Sequence, residues 1–296
     1  PIYDGVPRPW HVGLSSDEGD GNVFTEYRLR DASAGREAQA AIGLRNRWTL
    51  SEGVRLDGYT TQEAADDVND LRRALELERV SIWGFSYGTH LGLSVLRRHG
   101  RHIERAILIG VEGPDDTYKP PLGMDRAYDR IARLAAADPN VAAAGDLWEL
   151  RDRVRGKLAR EPMAVEIEGG GQRFTLPVGP FGLDLILRLD IGDASDIPVF
   201  PRLLYSIDHG DTRLLRWFVQ KRAGLTVAIP VMSFMTDSAS GASAERLAEV
   251  AREAPQSRFG NMANFPFPDL AEEWRAPAPA PDFRDPVRSS VPTLFM

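Results

Sequence analysis

Apolar positions along this chain follow two alternating rhythms. Ala64, Val68, Leu71 and Leu75 recur at helical spacing, which predicts an amphipathic helix on one face, ending near Leu77. Thr60 as N-cap with Glu63 three residues on is the capping box that opens it. Glu78-Arg79 then turns into Val80-Ser81-Ile82-Trp83, a short β-branched and aromatic strand. Thr89 to His99 reads as the next helix, stopped at Gly100, and Ile103 to Val111 as the next strand. Strand, helix and strand in this order predict an α/β fold with a parallel sheet covered by helices on both faces.

The rhythm changes between about Pro114 and Pro286. Ala127–Ala137, Leu147–Arg160, Leu203–Ile207, Thr212–Arg222 and Ser243–Ala254 have helical patterns. Ala164–Ile167 and Arg173–Val178, around Gly169-Gly170-Gly171, predict two short strands. Ala276-Pro277-Ala278-Pro279-Ala280-Pro281 is a stiff, polyproline-like connector. The organisation that follows is a partial core over 1–114, a large, mostly helical cap or lid over 115–285, and a return to the core over 286–296. Val291 to Met296 is an apolar run of the kind that forms a buried last strand. The chain opens on Pro1 without a signal-peptide pattern, and both ends are expected to be cut.

Composition narrows the chemistry more than the fold. A formal charge of −7 argues against nucleic acid or an anionic membrane as partner. The absence of cysteine removes disulfides, zinc–thiolate sites and a thiol nucleophile, and leaves the compartment open. No apolar stretch approaches the length of a membrane span. There is no metal-ligand cluster and no phosphate loop, so neither metal nor cofactor is expected.

Gly84-Phe85-Ser86-Tyr87-Gly88 is the motif that carries chemistry. The letters G-x-S-x-G recur by chance in glycine-rich chains, but here a strand precedes them and a helix follows. That context is the nucleophile elbow, in which a strained turn lifts the serine oxygen above the sheet at a helix N-terminus. The two glycines are expected to avoid collisions with the neighbouring strand and helix.

Together with Tyr59-Thr60-Thr61-Gln62-Glu63-Ala64-Ala65-Asp66-Asp67-Val68 and Leu71-Arg72-Arg73-Ala74-Leu75, this motif and Thr89 resemble the α/β-hydrolases grouped with proline iminopeptidases and tripeptidyl aminopeptidases. The resemblance is close from about Arg47 to Pro121 and resumes at Val291–Met296. Ser240-Gly241-Ala242-Ser243 and Phe265-Pro266-Phe267-Pro268 are looser landmarks. It implies Ser86 as nucleophile and the Tyr87 backbone N–H as one oxyanion donor. It also implies a triad Asp and His after the last strand and a His-Gly-Gly turn before the first residue. Val12-Gly13-Leu14-Ser15 resembles the glycine-rich turn that follows a preceding core strand.

Other titratable residues compete for roles. His90, one turn beyond Ser86, is read first as a helix-packing or surface histidine. His99 and His102 flank a helix end, where a partly cationic ring suits the dipole. His209 belongs to a turn, and His11 to the N-terminal stretch. Asp66, Asp67 and Asp70 are read as a solvated helix face. Glu112 follows the strand after the elbow and should emerge at the catalytic edge of the sheet. Two readings of it stay open: a partner for a substrate ammonium, or a salt bridge or cap for the loop at Gly113-Pro114. Asp237 is a weaker candidate of the same type. The resulting expectation is a serine hydrolase working through an acyl-enzyme, an aminopeptidase acting on small peptides. A carboxylesterase with the same machinery and an inactive, hydrolase-like binding protein are the alternatives. Oligomeric state stays open.

Overall fold

The computed structural model of the chain describes residues 10–16, 23–29, 42–44, 58–169, 172–222, 231–268, 271 and 277–296. Strands β1 (Trp10–Ser16), β2 (Val23–Leu29) and β3 (Ile42–Leu44) form an antiparallel sheet in that order. Val12-Gly13-Leu14-Ser15 lies inside β1, with Val12 opposite Tyr27. The glycine-rich turn expected there is not formed, because an unbroken ladder with β2 takes up the backbone instead. The chain divides into two compact units, residues 55–122 with 231–296 and residues 1–54 with 123–230.

In the first of these units, helix α1 (Thr61–Ala74) starts where the capping pattern places it. The Thr60 hydroxyl accepts from the Glu63 N–H at 3.1 Å. The helix stops at Leu75, and Glu76 follows at φ 55°. The buried side is not the expected one. Thr61 and Ala65 are buried and Val68 half-buried, whereas Leu71 and Leu75 are exposed. Counting apolar letters misses this, because the packed side opens on a hydroxyl that finds hydrogen-bond partners inside the unit.

Strand β4 (Val80–Phe85), helix α2 (Tyr87–His99) and strand β5 (Ile103–Ile109) form the expected βαβ unit. β4 and β5 are parallel, with Trp83 opposite Ile107 and Phe85 opposite Ile109. Leu93, Val95 and Leu96 of α2 join Ala65, Ile103, Ala106 and Leu108 in one core cluster. Gly92 makes this approach possible, since a Cβ there would stand 2.8 Å from Leu108 Cδ2.

The second unit is mostly helical. It contains α3 (Leu122–Ala137) from Gly123 onward, α4 (Leu147–Arg160), the hairpin β6 (Met163–Gly169) and β7 (Gln172–Val178), α5 (Pro180–Asp190), α6 (Phe200–Asp208) and α7 (Arg213–Lys221). The hairpin is antiparallel, with Glu168 opposite Arg173. α5 was not among the expected helices. Pro180 begins it, and Leu183, Ile186 and Leu187 are buried at i, i+3 and i+4. Arg151 of α4 and Asp184 of α5 form a buried ion pair at 2.7 Å.

The chain then returns to the first unit through α8 (Val231–Ser240), also unforeseen, and α9 (Ala244–Glu253), capped by Ser243 on the Arg246 N–H. The proline-rich connector is tied to the start of α1, where the Ala280 N–H donates to Gln62 Oε1 at 2.9 Å. Strand β8 (Thr293–Phe295) runs parallel to β5, giving the order β4-β5-β8. It was expected to be buried, yet Leu294 and Phe295 are exposed. Trp83, Ile107 and Leu294 align across the three strands as one exposed apolar row on the same face.

Candidate active site

Gly84, the Ser86 turn and the first turn of α2 shape the site. A Cβ at Gly84 would stand 2.3 Å from the Gly88 carbonyl oxygen, so only glycine lets the strand turn so sharply into the helix. Gly88 itself faces open space, and the collision expected there does not arise. Ser86 carries φ 52° and ψ −123°, a conformation that L-residues adopt at a cost. The Ser86 N–H donates to the Ile109 carbonyl at 3.0 Å, which continues the parallel ladder into the turn. Its side chain makes no cap bond to the helix, and the residue is exposed. Tyr87 is the first helical residue, so its N–H belongs to the positive end of α2.

Thr89 ties this turn to the end of β5. Its hydroxyl donates to the Ser86 carbonyl at 2.7 Å and accepts from the Glu112 N–H at 2.8 Å. Glu112 thereby lies at the sheet edge beside the elbow, as the strand order requires. Its carboxylate pairs with Lys119 Nζ at 3.4 Å. The following loop is anchored to α9: Asp116 accepts from the Gly113 N–H and from Arg246, and Asp115 accepts from the Ser243 N–H and hydroxyl.

Tyr87 is half-buried, and burial pushes its phenol above the ordinary value. The hydroxyls of Thr61 and Thr236 oppose that rise, while the carboxylates of Asp237 and Glu112 add to it. Both acidic candidates named from sequence therefore act on one residue of the elbow.

Each of the four histidines with a described side chain is committed elsewhere. His90 is buried, with Nδ1 3.0 Å from the Gly113 carbonyl and Nε2 3.3 Å from Ser240 Oγ. Phe283 packs edge-on against its ring. Burial pushes its pKa below the ordinary 6.5, against the Gly113 carbonyl and the Glu112 carboxylate. His99 Nε2 lies 2.6 Å from Asp66, which also accepts from Arg98, so Asp66 belongs to an inter-helix cluster rather than a merely solvated face. Arg101 Nε donates to His102 Nε2 at 3.0 Å, which leaves that nitrogen without a proton. The cationic ring expected at this position is therefore not what the structure holds. His209 Nδ1 bonds the Tyr205 carbonyl of its own helix, in the other unit. His11 falls in β1, and its side chain lies outside the described residues.

What sequence reading missed is the hydroxyl set around Tyr87. Thr61 lies far in the chain from Thr236 and Ser240, which share α8; Thr61 and Ser240 stood in motifs of the family resemblance, but nothing in the sequence paired them with Tyr87. Among the described residues, no group of three or more His, Cys, Asp or Glu side chains could hold a metal ion. No described helix is long and apolar enough to cross a membrane.

A family model described as the alpha/beta hydrolase fold matches residues 35–150. The match includes β4, the Ser86 turn, α2, β5 and Glu112. No curated protein matches the chain. Residues 35–150 carry an α/β-hydrolase fold domain, and that fold supports a hydrolase.

Proposed function

We propose that the protein is a serine hydrolase that works through an acyl-enzyme and releases N-terminal residues from small peptides. The observation that carries the reading is Ser86 itself, exposed at φ 52° between a parallel strand and a helix N-terminus. Ser86 Oγ attacks the scissile carbonyl and gives its proton to a histidine base, which passes it to the departing amine. The oxyanion forms beside the Tyr87 N–H at the positive end of α2. Water then cleaves the ester, releasing the acid and regenerating Ser86.

Peptide over ester is favoured by Glu112. Its carboxylate already holds an ammonium, that of Lys119, next to the elbow, and a peptide's free N-terminus presents the same group. The test is made on the protein expressed from its complete natural reading frame. Glu112→Gln should depress cleavage of free-amine peptides several-fold relative to aryl esters, about 1 kcal/mol for a part-exposed charge pair. Equal losses on both substrates would make Glu112 structural and favour the carboxylesterase.

One observation favours a second reading, an inactive hydrolase-like binding protein: the four described histidine side chains are all engaged away from Ser86. Absence of any Ser86-dependent turnover in the same experiment would select it.

A further inference from the structure

A line of polar groups runs through the interior behind the elbow. Tyr87 Oη lies 3.2 Å from Thr61 Oγ1, Thr61 Oγ1 lies 3.1 Å from Ser240 Oγ, and Ser240 Oγ lies 3.3 Å from His90 Nε2. His90 Nδ1 ends the line on the Gly113 carbonyl at 3.0 Å. Thr61, Ser240 and His90 are all buried.

The proton order along this line follows from the last bond. A carbonyl can only accept, so Nδ1 carries the imidazole proton. In the neutral ring Nε2 then accepts, and Ser240 must donate to it. Each hydroxyl has one proton. Ser240 therefore accepts from Thr61, and Thr61 accepts from Tyr87, whose oxygen is left to accept from Thr236. One backbone carbonyl thus sets the direction of every proton in the line.

We propose that His90 and Ser240 are positioning residues of the Ser86 site, ordering the hydroxyl chain that holds Tyr87 and tying it to the loop that carries Glu112. Tyr87 supplies the first N–H of α2, and its ring is held through Thr61 by this chain. The Gly113 carbonyl on which His90 rests immediately follows Glu112, so one imidazole links the oxyanion side of the site to its acidic side. The inference deepens the reading of Ser86 as nucleophile and rests on it for its functional meaning. The measurements below are made on His90 and Tyr87 and do not depend on it.

One feature lets the chain respond to bulk protons. Thr61 and Ser240 both line a cavity of about 180 Å³, with Gln62, Glu63 and Phe283 on its walls. That is room for several waters, so the middle of the chain exchanges with solvent although His90 is buried. Protonation of His90 would put a second donor on Nε2, and Ser240, Thr61 and Tyr87 would each have to reverse. The charged groups around this ring are Glu112, Asp116 and Lys119 of the loop, with Asp237 acting on Tyr87 and Arg284 donating to the Ser240 carbonyl. They decide where the reversal falls.

The experiment is imidazole nitrogen NMR on histidine-labelled 1–296 protein, with the backbone amides of Ser86 and Tyr87 followed in parallel. The wild type should hold His90 with the Nδ1–H form at least about tenfold over the Nε2–H form, the worth of one buried hydrogen bond. Ser240→Ala removes the donor to Nε2 but leaves the Gly113 carbonyl on Nδ1, so it should keep the Nδ1–H form dominant, shift the Nε2 resonance and move the Ser86 and Tyr87 amide resonances. Ser240→Thr should restore both. Thr61→Val supplies the same test from the other side of the chain if Ser240→Ala does not fold. A dominant Nε2–H form in the wild type, or unmoved Ser86 and Tyr87 amides in a folded Ser240→Ala or Thr61→Val protein, overturns the proposal. Ser86→Ala should leave the ratio as in the wild type. Failure of the nucleophile reading therefore shows only in turnover, and failure of this proposal only in the spectra.

Discussion

The two units of the chain bury polar groups of different kinds. Among the described residues of 55–122 with 231–296, the buried polar side chains are Thr61, Thr89, His90, Ser94, Thr236, Ser238, Ser240 and Asn264: hydroxyls, one amide and one ring held toward neutrality. Among the described residues of the other unit they are Arg151, Asp184, Asp190 and Asp196, all ionisable and engaged in ion pairs. A chain of hydroxyls can reverse its direction without moving a heavy atom. A buried ion pair cannot give up a partner without stranding a charge. The first unit thus buries groups that can reorient, and the second groups that are pinned.

The sharpest way to break this contrast is to look for activity lost without stability, and stability lost without a change at the site. In the protein from its complete reading frame, Ser86→Ala should remove hydrolysis by several orders of magnitude and leave the urea midpoint essentially unchanged. Purified residues 1–296 should turn over an aryl ester at no enzymatic rate, because the described histidines are committed elsewhere. Aryl-ester turnover by 1–296 that Ser86→Ala abolishes would prove that expectation wrong and send the search for the base to His11 or to a rearranged His90.

The next effect is on stability in the helical unit. Asp184→Ala removes the buried partner of Arg151, whose side chain is 1 % exposed, leaves it the exposed Asp152 at 3.3 Å, and should cost about 3 kcal/mol in urea unfolding. Ser240→Ala in the other unit should cost about 1 kcal/mol. If the two costs are equal, the buried pair is no anchor and the comparison fails.

The smallest effect separates the units by pH. Burial holds the folded pKa of His90 below 6.5, so its neutral form contributes stability fully above that value and loses it as pH falls through the folded pKa. Asp208 of the helical unit is desolvated, but Lys157 and Arg153 outweigh that and hold it below 3.8. Its contribution is present above 3.8 and lost only in stronger acid. Between pH 7 and pH 5 the unit containing Ser86 should therefore weaken, and His90→Gln should abolish this pH dependence. Hydrogen exchange resolved by segment, at fixed pH after correction for intrinsic rates, would show which unit opens.

Much of the fold was legible because local rules carried it. Thr60 and Glu63 marked the start of α1, the helical pattern over Leu147–Arg160 matched α4, and the glycine-rich stretch at 169–171 separated the paired strands β6 and β7. The helices α5 and α8 escaped notice for opposite reasons. α5 is apolar and begins on a proline that reads as a break, whereas α8 carries Ser233, Thr236, Ser238 and Ser240, hydroxyls that favour turns unless tertiary partners claim them. The exposure of Leu71, Leu75 and Leu294 was equally invisible, since periodicity tells which residues share a side but not which side the rest of the chain covers.

For the candidate site the division follows the same physics. Sequence alone determined the turn: glycine at 84 is required by contact with the backbone four residues on, and a serine between a strand run and a helix run had to take the sharp bend. These are short-range constraints, written within ten residues. Only tertiary structure decided that His90 serves Gly113 and Ser240, that Glu112 meets Lys119, and that Thr61 reaches Tyr87 and Ser240, the latter across 179 positions. A hydroxyl or a carboxylate has no preferred partner in the sequence; its partner is whichever complementary group packing leaves within reach once the apolar surfaces have closed.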